Sequence, residues 1–402
     1  MSESSLPPEQ PEKNEPKSTP EGLGLPPRTD VALIESGVEW LRGEGDLSDV
    51  LLSSRVRLAR NLAGRLFASK ATRRDRETTL AACRDCLMHA GISEKLIWVD
   101  LHGASPLDRT LLVERHLISK NHGKGRGTNP NDDPRGVAIS VPDERLAVMV
   151  NEEDHLRIQV IRSGLALTEA WKEIDAIDDK IEERLEYAFS PRFGYLTACP
   201  TNVGTGIRMS AMLHLPALRL TGELEKVKRA ASDMNLAVRG FYGEGSDAVG
   251  DLFQLSNQTT LGKSESQVIQ ELEGEVLPKI VEYERLARRE LLAKRRVGLE
   301  DQVWRAWGAL TNARLMNTDE AMQALSLARL GTTMGLLRNT NKQPPAPTSD
   351  APTTTTTPTL RTINHLMLLV QPAHLQRVVG RELDQEQRRV ARASLLRSRL
   401  KG

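Results

Sequence analysis

The sequence places arginine, carboxylate and cysteine side chains in four short segments at spacings that could hold an anion. In the first segment, LSSRVRLARNL at 52–62, Arg55 and Arg57 would point to the same face of a strand. Two guanidinium groups held this close repel each other unless an anion lies between them, and arginine binds phosphate bidentately. The segment therefore predicts a phosphate clamp or, alternatively, an exposed basic strand.

The second segment, VNEEDHLR, is a run of charge between two apolar runs. It holds Glu152, Glu153, Asp154, His155 and Arg157. Carboxylates and a histidine are common metal ligands. Neighbouring residues on an extended chain point to opposite faces, however, so at most two or three of these side chains can converge. The alternatives are a metal site, a solvated strand end and a reactive site, and the flanking apolar runs argue against a loop tip.

The third segment, YLTACPTNVGTGIR at 195–208, predicts a strand that ends at Cys199, a Gly/Thr turn, and a helix whose first turn contains Arg208. Backbone N–H groups at a helix start can face an anion. The spacing of a Walker loop is missing, and a plain strand-to-helix connection has the same pattern. Cys199 is predicted to be either a buried apolar filler or, where positive charge lies nearby, a reactive thiol.

The fourth segment, RGFYGEGSD at 239–247, places Arg239 and Glu244 on a glycine-rich loop. Glycine permits movement and the close approach of a ligand, so the segment predicts a ligand-covering loop or an ordinary flexible one. Cys83 and Cys86 spell CxxC, but within a helical pattern rather than the strand context of a redox motif, which predicts a packed helix face. Three histidines without convincing metal-ligand context are predicted to be structural: His116, His155 and His214.

The surrounding pattern predicts an α+β fold, a mostly antiparallel sheet flanked by helices. Six β-rich runs are bounded by turn signals: 96–101, 136–141, 145–150, 155–161, 194–199 and 236–242. Helical periodicity predicts three helices among them: 77–91, 166–189 and 207–218. The runs between 136 and 161 follow one another closely enough to be joined by hairpins, which favours an antiparallel sheet over a βαβ array.

The remaining sequence divides into a tail, a first domain and a helical C-terminal domain. Residues 1–28, rich in Pro, Glu and Ser, are predicted to be disordered. The first domain spans 29–287, and a long helix over about 264–297 leads from it into an α-helical domain at 288–402. Within that domain, the Pro/Thr-rich stretch 340–361 cannot pack and predicts a disordered surface insertion.

Composition narrows the class of protein. Fifty-five basic against 54 acidic residues give a net charge of +1, so no global field favours nucleic acid or an anionic membrane as partner. Three cysteines are too few for a secreted disulfide framework, which favours a reducing compartment. The N-terminal segment lacks a signal-peptide core, and no run approaches the roughly 18 apolar residues of a membrane helix. We therefore expect a soluble, cytoplasmic protein.

In their residues and their order along the chain, four segments resemble the guanidino-kinase (phosphagen kinase) family, which phosphorylates guanidinium groups with ATP: SSRVRLARN, NEEDHLR, CPTNVGTGIR and RGFYGEGSD. The resemblance covers about residues 30–290 and implies the family's glutamine-synthetase-like catalytic fold. Further segments are similar to the family's bacterial protein-arginine kinase branch (McsB type) and extend the likeness to the C-terminus: LVERHLIS, NEEDHLRIQ, LHLPAL, GEGSDAVGDLFQLSNQTTLGKSE and LVQPAHLQ.

Position by position, the resemblance implies a role for each matching residue. Glu153 would be the catalytic carboxylate that orients the acceptor and takes its proton, Glu244 would clamp the acceptor's other side, and Cys199 would contact it. Asp154 and His155 would be scaffold. The cofactors implied are ATP and Mg²⁺, with the ion held mostly by phosphates and waters and no dedicated metal site in the protein. Five residues would contact the nucleotide phosphates: Arg55, Arg57, Arg157, Arg208 and Arg239.

The C-terminal segment QRRVARAS, residues 387–394, resembles the RDxxRA signature of a phospho-arginine sensor in this branch. Arg388, Arg392 and Ala393 match the signature, but Arg389 stands where the family has aspartate. This reversal of charge departs from the family's pattern at the implied allosteric site. The alternative is a basic amphipathic helix on a dimer surface.

The resemblance implies an ATP-dependent protein-arginine kinase that forms a homodimer through its C-terminal domain. Its implied partners are proteins with accessible arginines, an AAA+ unfoldase–protease and an activator protein. Small-molecule guanidino kinases carry an all-helical domain before the catalytic one, whereas here the first arginine motif begins near residue 52, which favours a bulky substrate. The alternatives are a small-molecule guanidino kinase and an inactive phospho-arginine-binding adaptor. The presence of every expected site residue argues against the adaptor.

Overall fold

The structure, a computed structural model, describes residues 38–126, 129, 133–241, 249–258, 260–337 and 358–401. Its strands are β1 Leu51–Arg60, β2 Leu96–Asp100, β3 Gly136–Ser140, β4 Leu146–Val150, β5 Leu156–Ser163, β6 Phe189–Ser190, β7 Gly194–Tyr195, β8 Ile207–His214, β9 Leu236–Arg239 and β10 Leu252–Asn257. Eight of them form one sheet in the order β2-β3-β4-β5-β1-β8-β10-β9, and β6 pairs with β7. Every neighbouring pair is antiparallel, which confirms the predicted sheet.

Helices surround this sheet and make up the C-terminal part of the chain. They are α1 Arg73–His89, α2 Pro106–Glu114, α3 Lys120–Lys124, α4 Leu167–Glu182, α5 Pro216–Thr221, α6 Leu224–Asp233, α7 Glu265–Ile269, α8 Leu277–Asn312, α9 Thr318–Thr333, α10 Leu360–Leu369, α11 Pro372–Val379 and α12 Gln385–Leu400. A π-helical segment, Gln270–Val276, joins α7 to α8. None of the described helices combines the length and the apolar character needed to cross a membrane.

One face of the sheet is the main core. Successive strand residues alternate between faces, so Val56 and Leu58 of β1 point to the same side as Ile158 and Val160 of β5, and all four are buried. Helix α4 covers this face through side chains at helical spacing, which pack on β1 and β5. Helix α1 covers β2, β3 and β4, and its buried thiols confirm the predicted packed face around the CxxC.

The opposite face is apolar at one edge and polar at the centre. Over β2–β4 it carries Val137, Ile139 and Met149, which form a small core with Leu112 of α2. The register continues this face from Met149 across to Arg157 of β5. From β5 to β9 the face bears polar side chains instead, and it lines a cleft. The sheet therefore positions the candidate site.

The prediction of a helix over 207–218 is wrong. Residues Ile207–His214 form strand β8, and helix α5 begins only at Pro216. β8 lies between β1 and β10 with seven of its eight residues buried. The alternation of apolar and polar residues in β8 breaks at Met212, where three apolar residues follow one another, so the pattern is hard to tell from that of a buried helix. Arg208 consequently lies on a strand and not in a first helical turn.

Other predicted bounds shift at element ends. In the run 194–199 only Gly194–Tyr195 is strand, and Pro200–Asn202 is a single 3₁₀ turn. The helix predicted to end near 297 continues to Asn312, past a kink at Arg295. The predicted strands between 136 and 161 form the expected hairpin-connected series.

The segments predicted to be disordered fall mostly outside the described residues. This applies to the tail 1–28 and to 340–357 of the Pro/Thr-rich stretch. The last part of that predicted insertion is ordered, because helix α10 begins at Leu360 with the Thr359 hydroxyl accepting the Thr362 N–H. Helix α8 runs without interruption across the predicted division at 287/288, and the division stays a prediction.

Candidate active site

The polar centre of the sheet brings three arginines from two adjacent strands side by side. Arg57 of β1 lies directly opposite Arg208 of β8 and opposite Gln159 of β5. Two residues earlier, Arg55 lies opposite Ser210 and its Nε donates to the serine hydroxyl at 3.4 Å. Because directly opposed residues share a face, these side chains all point into the same cleft.

The other two predicted arginines join this face from its flanks. Arg239 of β9 is paired with Gln254 of β10, and the Gln254 Oε1 accepts a 2.9 Å hydrogen bond from Arg55 Nη2. Arg157 of β5 pairs with Ala59 of β1, two positions beyond Arg57. Five guanidinium groups therefore line a single cleft of about 1290 Å³.

The positive charges of these five arginines favour the binding of an anion in the cleft. Burial, together with Arg157, Arg208 and Arg239, lowers the pKa of Arg55 to about 10. Burial and its arginine neighbours lower the pKa of Arg57 well below its usual range. The buried Nε of Arg57 has no hydrogen-bond partner among the described residues. Buried positive charges that lie side by side repel one another. A bound polyphosphate would neutralise them and accept hydrogen bonds from the guanidinium groups.

Glu152 fixes one of the arginines. Its Oε2 lies 2.7 Å from Arg157 Nη1 and accepts the Glu153 N–H at 2.8 Å, and its Oε1 accepts the Ser119 hydroxyl at 2.6 Å. Burial alone would raise the pKa of Glu152, but Arg157, His122 and these donors outweigh it and hold the pKa at about 2. Glu152 is therefore a buried anion that orients Arg157, a role the sequence reasoning missed.

Glu153 occupies the opposite environment from its neighbour. Residues 151–155 form a tight turn closed by the Asn151 N–H to the His155 carbonyl, contrary to the expectation that the acids avoid a loop tip. Within this turn Glu153 alone is exposed, and it lines the cleft. Burial raises the pKa of Glu153, and Asp154 and Glu152 add to that effect against the opposing charge of Arg157. A carboxylate of raised pKa at the cleft wall can accept a proton.

Asp154 connects this turn to the cysteine segment. Its Oδ1 accepts hydrogen bonds from Asn61 Nδ2 at 2.6 Å and from the Ala198 N–H at 2.7 Å. The neighbouring Cys199 lines the cleft, with its Sγ 3.0 Å from Thr201 Oγ1. Asp154 thus holds Glu153 and Cys199 at the same end of the cleft, which agrees with its predicted scaffold role.

The three histidines lie in structural surroundings. His155 Nδ1 accepts the Leu62 N–H at 3.0 Å, and its Nε2 pairs with the Leu66 carbonyl at 2.9 Å. His214 Nε2 lies 2.9 Å from the Ser326 hydroxyl. His116 packs edge-on between the rings of Trp40 and Phe241 at the cleft border, and burial lowers its pKa to about 3.

The structure therefore brings together seven of the eight residues predicted for catalysis and phosphate binding. Glu244 lies outside the described residues. Adjacent carboxylates look alike in a sequence, so only the contacts separate the scaffold residues Glu152 and Asp154 from Glu153. Three further cleft-lining residues carried no recognisable signal, since each is an ordinary polar side chain on a strand or turn: Ser119, Gln159 and Gln254.

The predicted phospho-arginine residues lie on helix α12, away from this cleft. Arg392 is buried and donates to the backbone carbonyls of Val370 at 2.7 Å and Met316 at 3.0 Å. Arg388 donates to the Leu383 carbonyl at 2.8 Å. In this structure Arg392 ties α12 to the neighbouring helical segments, so binding of phospho-arginine there stays a prediction.

Comparison with known proteins agrees with this geometry. Residues 81–287 match the family described as ATP:guanido phosphotransferase, C-terminal catalytic domain. Residues 296–345 and 354–402 match the family described as Protein-arginine kinase McsB C-terminal domain. Both matches lie within regions where the sequence resembled this family.

Individual relatives show the same kinship along most of the chain. The chain is 44% identical to the protein-arginine kinase of Symbiobacterium thermophilum over 90% of this chain and 96% of that one. It is 39% identical to the protein-arginine kinase of Bacillus subtilis over 90% and 93% of the two chains. Among solved structures, the duplicated taurocyamine kinase from Schistosoma mansoni with bound transition state analog components superposes with a TM-score of 0.53 at 28% identity, covering 60% of this chain and 35% of that one. The chain therefore belongs to the ATP:guanido phosphotransferase family, and within it to the bacterial protein-arginine kinases.

Proposed function

We propose that this protein transfers the γ-phosphoryl group of ATP to the guanidinium of arginine side chains in other proteins. The observation that carries the proposal is the convergence of five arginines from four strands of one sheet beside an exposed carboxylate of raised pKa. The arginines can bind an anion, and the carboxylate can bind a cation and accept a proton. A kinase acting on a guanidinium needs both within one cleft.

The arginine cluster would bind the nucleotide phosphates and stabilise the charge of the migrating group. Phosphoryl transfer gains mostly from positioning and from fixed positive charge, because little covalent chemistry is left to the protein. Mg²⁺ would add positive charge at the phosphates. The cleft fits an ion held by phosphates and waters, because Glu152, a buried carboxylate beside the arginines, is already bonded to Arg157.

The acceptor would lie at the end of the cleft that holds Glu153 and Cys199. A guanidinium has a pKa above about 12 and is a weak nucleophile, so it must be oriented and deprotonated. The acceptor nitrogen forms a bond to the γ-phosphorus while the bond from that phosphorus to the bridging oxygen breaks. ADP leaves with the electron pair, and Glu153 takes the nitrogen's proton. Two carboxylates around one planar cation would fix its alignment, and we propose Glu244 as the second.

A protein, rather than free arginine, is the proposed acceptor. The relatives of high coverage are named protein-arginine kinases, which supports this choice. We further propose that the phosphorylated proteins are marked for an AAA+ unfoldase–protease. The proposal also includes a cytoplasmic homodimer that contacts an activator protein and is formed through the C-terminal domain at 288–402.

Incubation with ATP tests the proposal. The acceptors are an unfolded, alkylated protein and free arginine, and the product is detected by mass spectrometry under conditions that preserve acid-labile phosphate. We expect phospho-arginine on the protein. Phosphate that appears only on free arginine would indicate a small-molecule guanidino kinase, and binding of phospho-arginine without any transfer would indicate an adaptor.

A further inference from the structure

Two segments that resemble the protein-arginine kinase branch contact each other: LVERHLIS at 112–119 and LVQPAHLQ at 369–376. Glu114 in the first segment accepts the backbone N–H of Ala373 at 2.9 Å and that of His374 at 3.0 Å. These two N–H groups lie in the first turn of helix α11, whose own N-cap residue makes no side-chain hydrogen bond. Glu114 therefore caps a C-terminal helix from a position 259 residues earlier in the chain.

The ring of His374 links Glu114 to the next residue, Arg115. His374 is fully buried, with its Nδ1 2.7 Å from Glu114 Oε2 and its Nε2 3.3 Å from Arg115 Nη1. Burial and the charge of Arg115 lower the pKa of His374 well below its usual range, so the ring is neutral and has one donor and one acceptor nitrogen. The Nδ1–H therefore donates to Glu114, and Nε2 accepts from Arg115.

Arg115 is held from its other side as well. Its Nε and its Nη2 each donate to the Glu144 carboxylate at 2.8 Å. Both glutamates, the histidine and the arginine are buried, so four polar side chains satisfy one another where α11 meets the end of α2. Removing one member leaves its neighbours buried without their partner.

The contacts of Arg115 reach the cleft through His116. His116 lines the cleft and has a φ of +58°, a conformation that a residue other than glycine keeps only where its surroundings hold it. Trp40 Nε1 donates to the Arg115 carbonyl at 3.4 Å, and Gln159 Nε2 donates to the His116 carbonyl at 2.7 Å. Gln159 lies opposite Arg57 in the sheet, so the cleft wall at His116 adjoins the arginine cluster.

We infer that Glu114 and His374 are positioning residues that fix the cleft wall at His116 and so support the binding of ATP. The inference rests on the proposed function, in which this cleft binds the nucleotide. Helix α11 would then complete the nucleotide site without touching the nucleotide. Losing the pair would let Arg115 and His116 shift, which weakens ATP binding, whereas the proton transfer assigned to Glu153 would be unaffected.

The variant His374→Leu tests the inference, because leucine fills the space but offers neither nitrogen. Measurements are made at pH 8, where Glu114, whose pKa burial raises to about 7, is ionised. We expect the dissociation constant and the KM for ATP to rise about tenfold. The kcat at saturating ATP and the KM for an unfolded, alkylated protein should change by less than about threefold. In His374→Gln the amide oxygen can accept from Arg115 in place of Nε2, and most of the ATP affinity should return.

The matched control is Arg377→Gln. It breaks the 2.6 Å ion pair between Arg377 and Asp108, a contact between the same two helices at the other end of α2. Both variants should lower the melting temperature, because each removes a contact between α2 and α11. Only His374→Leu should weaken ATP binding, which separates the positioning of the cleft wall from the docking of the helices.

Glu114→Gln, which keeps the size of the side chain, provides a second variant. It should raise the dissociation constant for ATP about threefold or more, and the double variant with His374→Leu should bind ATP no more weakly than His374→Leu alone, because both act through one chain of contacts. If the wild type binds ATP and both single variants bind it equally tightly, the inference fails while the proposed activity stands. An equal loss in Arg377→Gln would also overturn it. If the wild type does not bind ATP, the proposed function itself fails.

Discussion

Glu152 and Glu153 are adjacent glutamates in different environments, and the sequence alone could not separate their functions. Glu152 is buried and bonded to Arg157, Ser119 and a backbone N–H, whereas Glu153 is exposed to the cleft. The motif was recognisable because charge flanked by apolar runs is unusual. The separate roles of the two glutamates were not recognisable, because they depend on Ser119, which is far away in the sequence. The sequence thus indicated candidate site residues but not their supporting contacts.

Glu152→Gln tests the proposed orienting role. The glutamine amide can form hydrogen bonds but cannot form the ion pair with Arg157. Arg157 therefore loses its fixed position, and its positive charge is left without a balancing carboxylate. We expect the free energy of unfolding at pH 7 to fall by about 2–3 kcal/mol and the dissociation constant for ATP to rise about tenfold. The matched control Glu77→Gln removes the exposed pair with Arg73 and should cost less than about 1 kcal/mol. Equal effects of the two variants would contradict the role of Glu152.

The same carboxylate predicts a pH dependence. Its pKa is about 2 in the folded protein against 4.5 for an ordinary glutamate, so its stabilisation is present above about pH 4.5 and is lost as the pH falls towards 2. The difference in unfolding free energy between wild type and Glu152→Gln should therefore narrow as the pH is lowered from 6 to 3. Denaturant titrations across this range measure it. A difference that stays constant would show that Glu152 is not a depressed-pKa anion.

At the scale of elements, the central strand β8 shows where sequence reasoning failed. One face of β8 packs in the core and the other lines the polar cleft, but the apolar run Ala211, Met212, Leu213 interrupts the period of two. The strand starts after Gly206, which has a φ of +69° and whose carbonyl accepts a hydrogen bond from the Ala59 N–H of β1. A Cβ at this position would lie 2.7 Å from the Ala59 carbonyl oxygen. Gly206 therefore sets the register that places Arg208 opposite Arg57.

Gly206→Ala is expected to disturb both stability and nucleotide binding. The added methyl group must displace the backbone of β1, beyond the strain of a positive φ, and we expect a loss of about 2–4 kcal/mol together with weaker ATP binding. Gly222→Ala is the control, since Gly222 has a φ of +79° but nothing within 4 Å of the added Cβ. It should cost about 1 kcal/mol and leave ATP binding unchanged. Equal ATP affinities in the two variants would contradict the register argument.

At the scale of the whole molecule, buried polar contacts join the sheet to the C-terminal helices. Arg329 of α9 is fully buried and donates to the Ser48 carbonyl at 2.7 Å and to the Asp49 carbonyl at 2.9 Å, just before β1. It also donates to Asn364 Oδ1 of α10 at 3.0 Å. Such contacts span 281 residues of sequence and leave no local pattern. The fold class could be predicted, but this packing could not.

Arg329→Leu should therefore destabilise the chain as a whole. The two carbonyls and Asn364 lose their buried donor, and we expect a loss of about 3–5 kcal/mol and a lower melting temperature in calorimetry. Arg361→Leu, at the exposed start of α10, is the control and should change stability by less than about 0.5 kcal/mol. An unchanged melting temperature in Arg329→Leu would show that this network does not hold the helices to the sheet.

The central claim is that the arginine face binds ATP while Glu153 takes the proton of the acceptor guanidinium. The most direct measurement compares phospho-arginine formation on an unfolded protein by wild type and by Glu153→Gln, alongside ATP binding. We predict that transfer falls by about 10²-fold or more while the dissociation constant for ATP changes by less than about threefold. Phospho-arginine formation at the wild-type rate in the variant would contradict the claim.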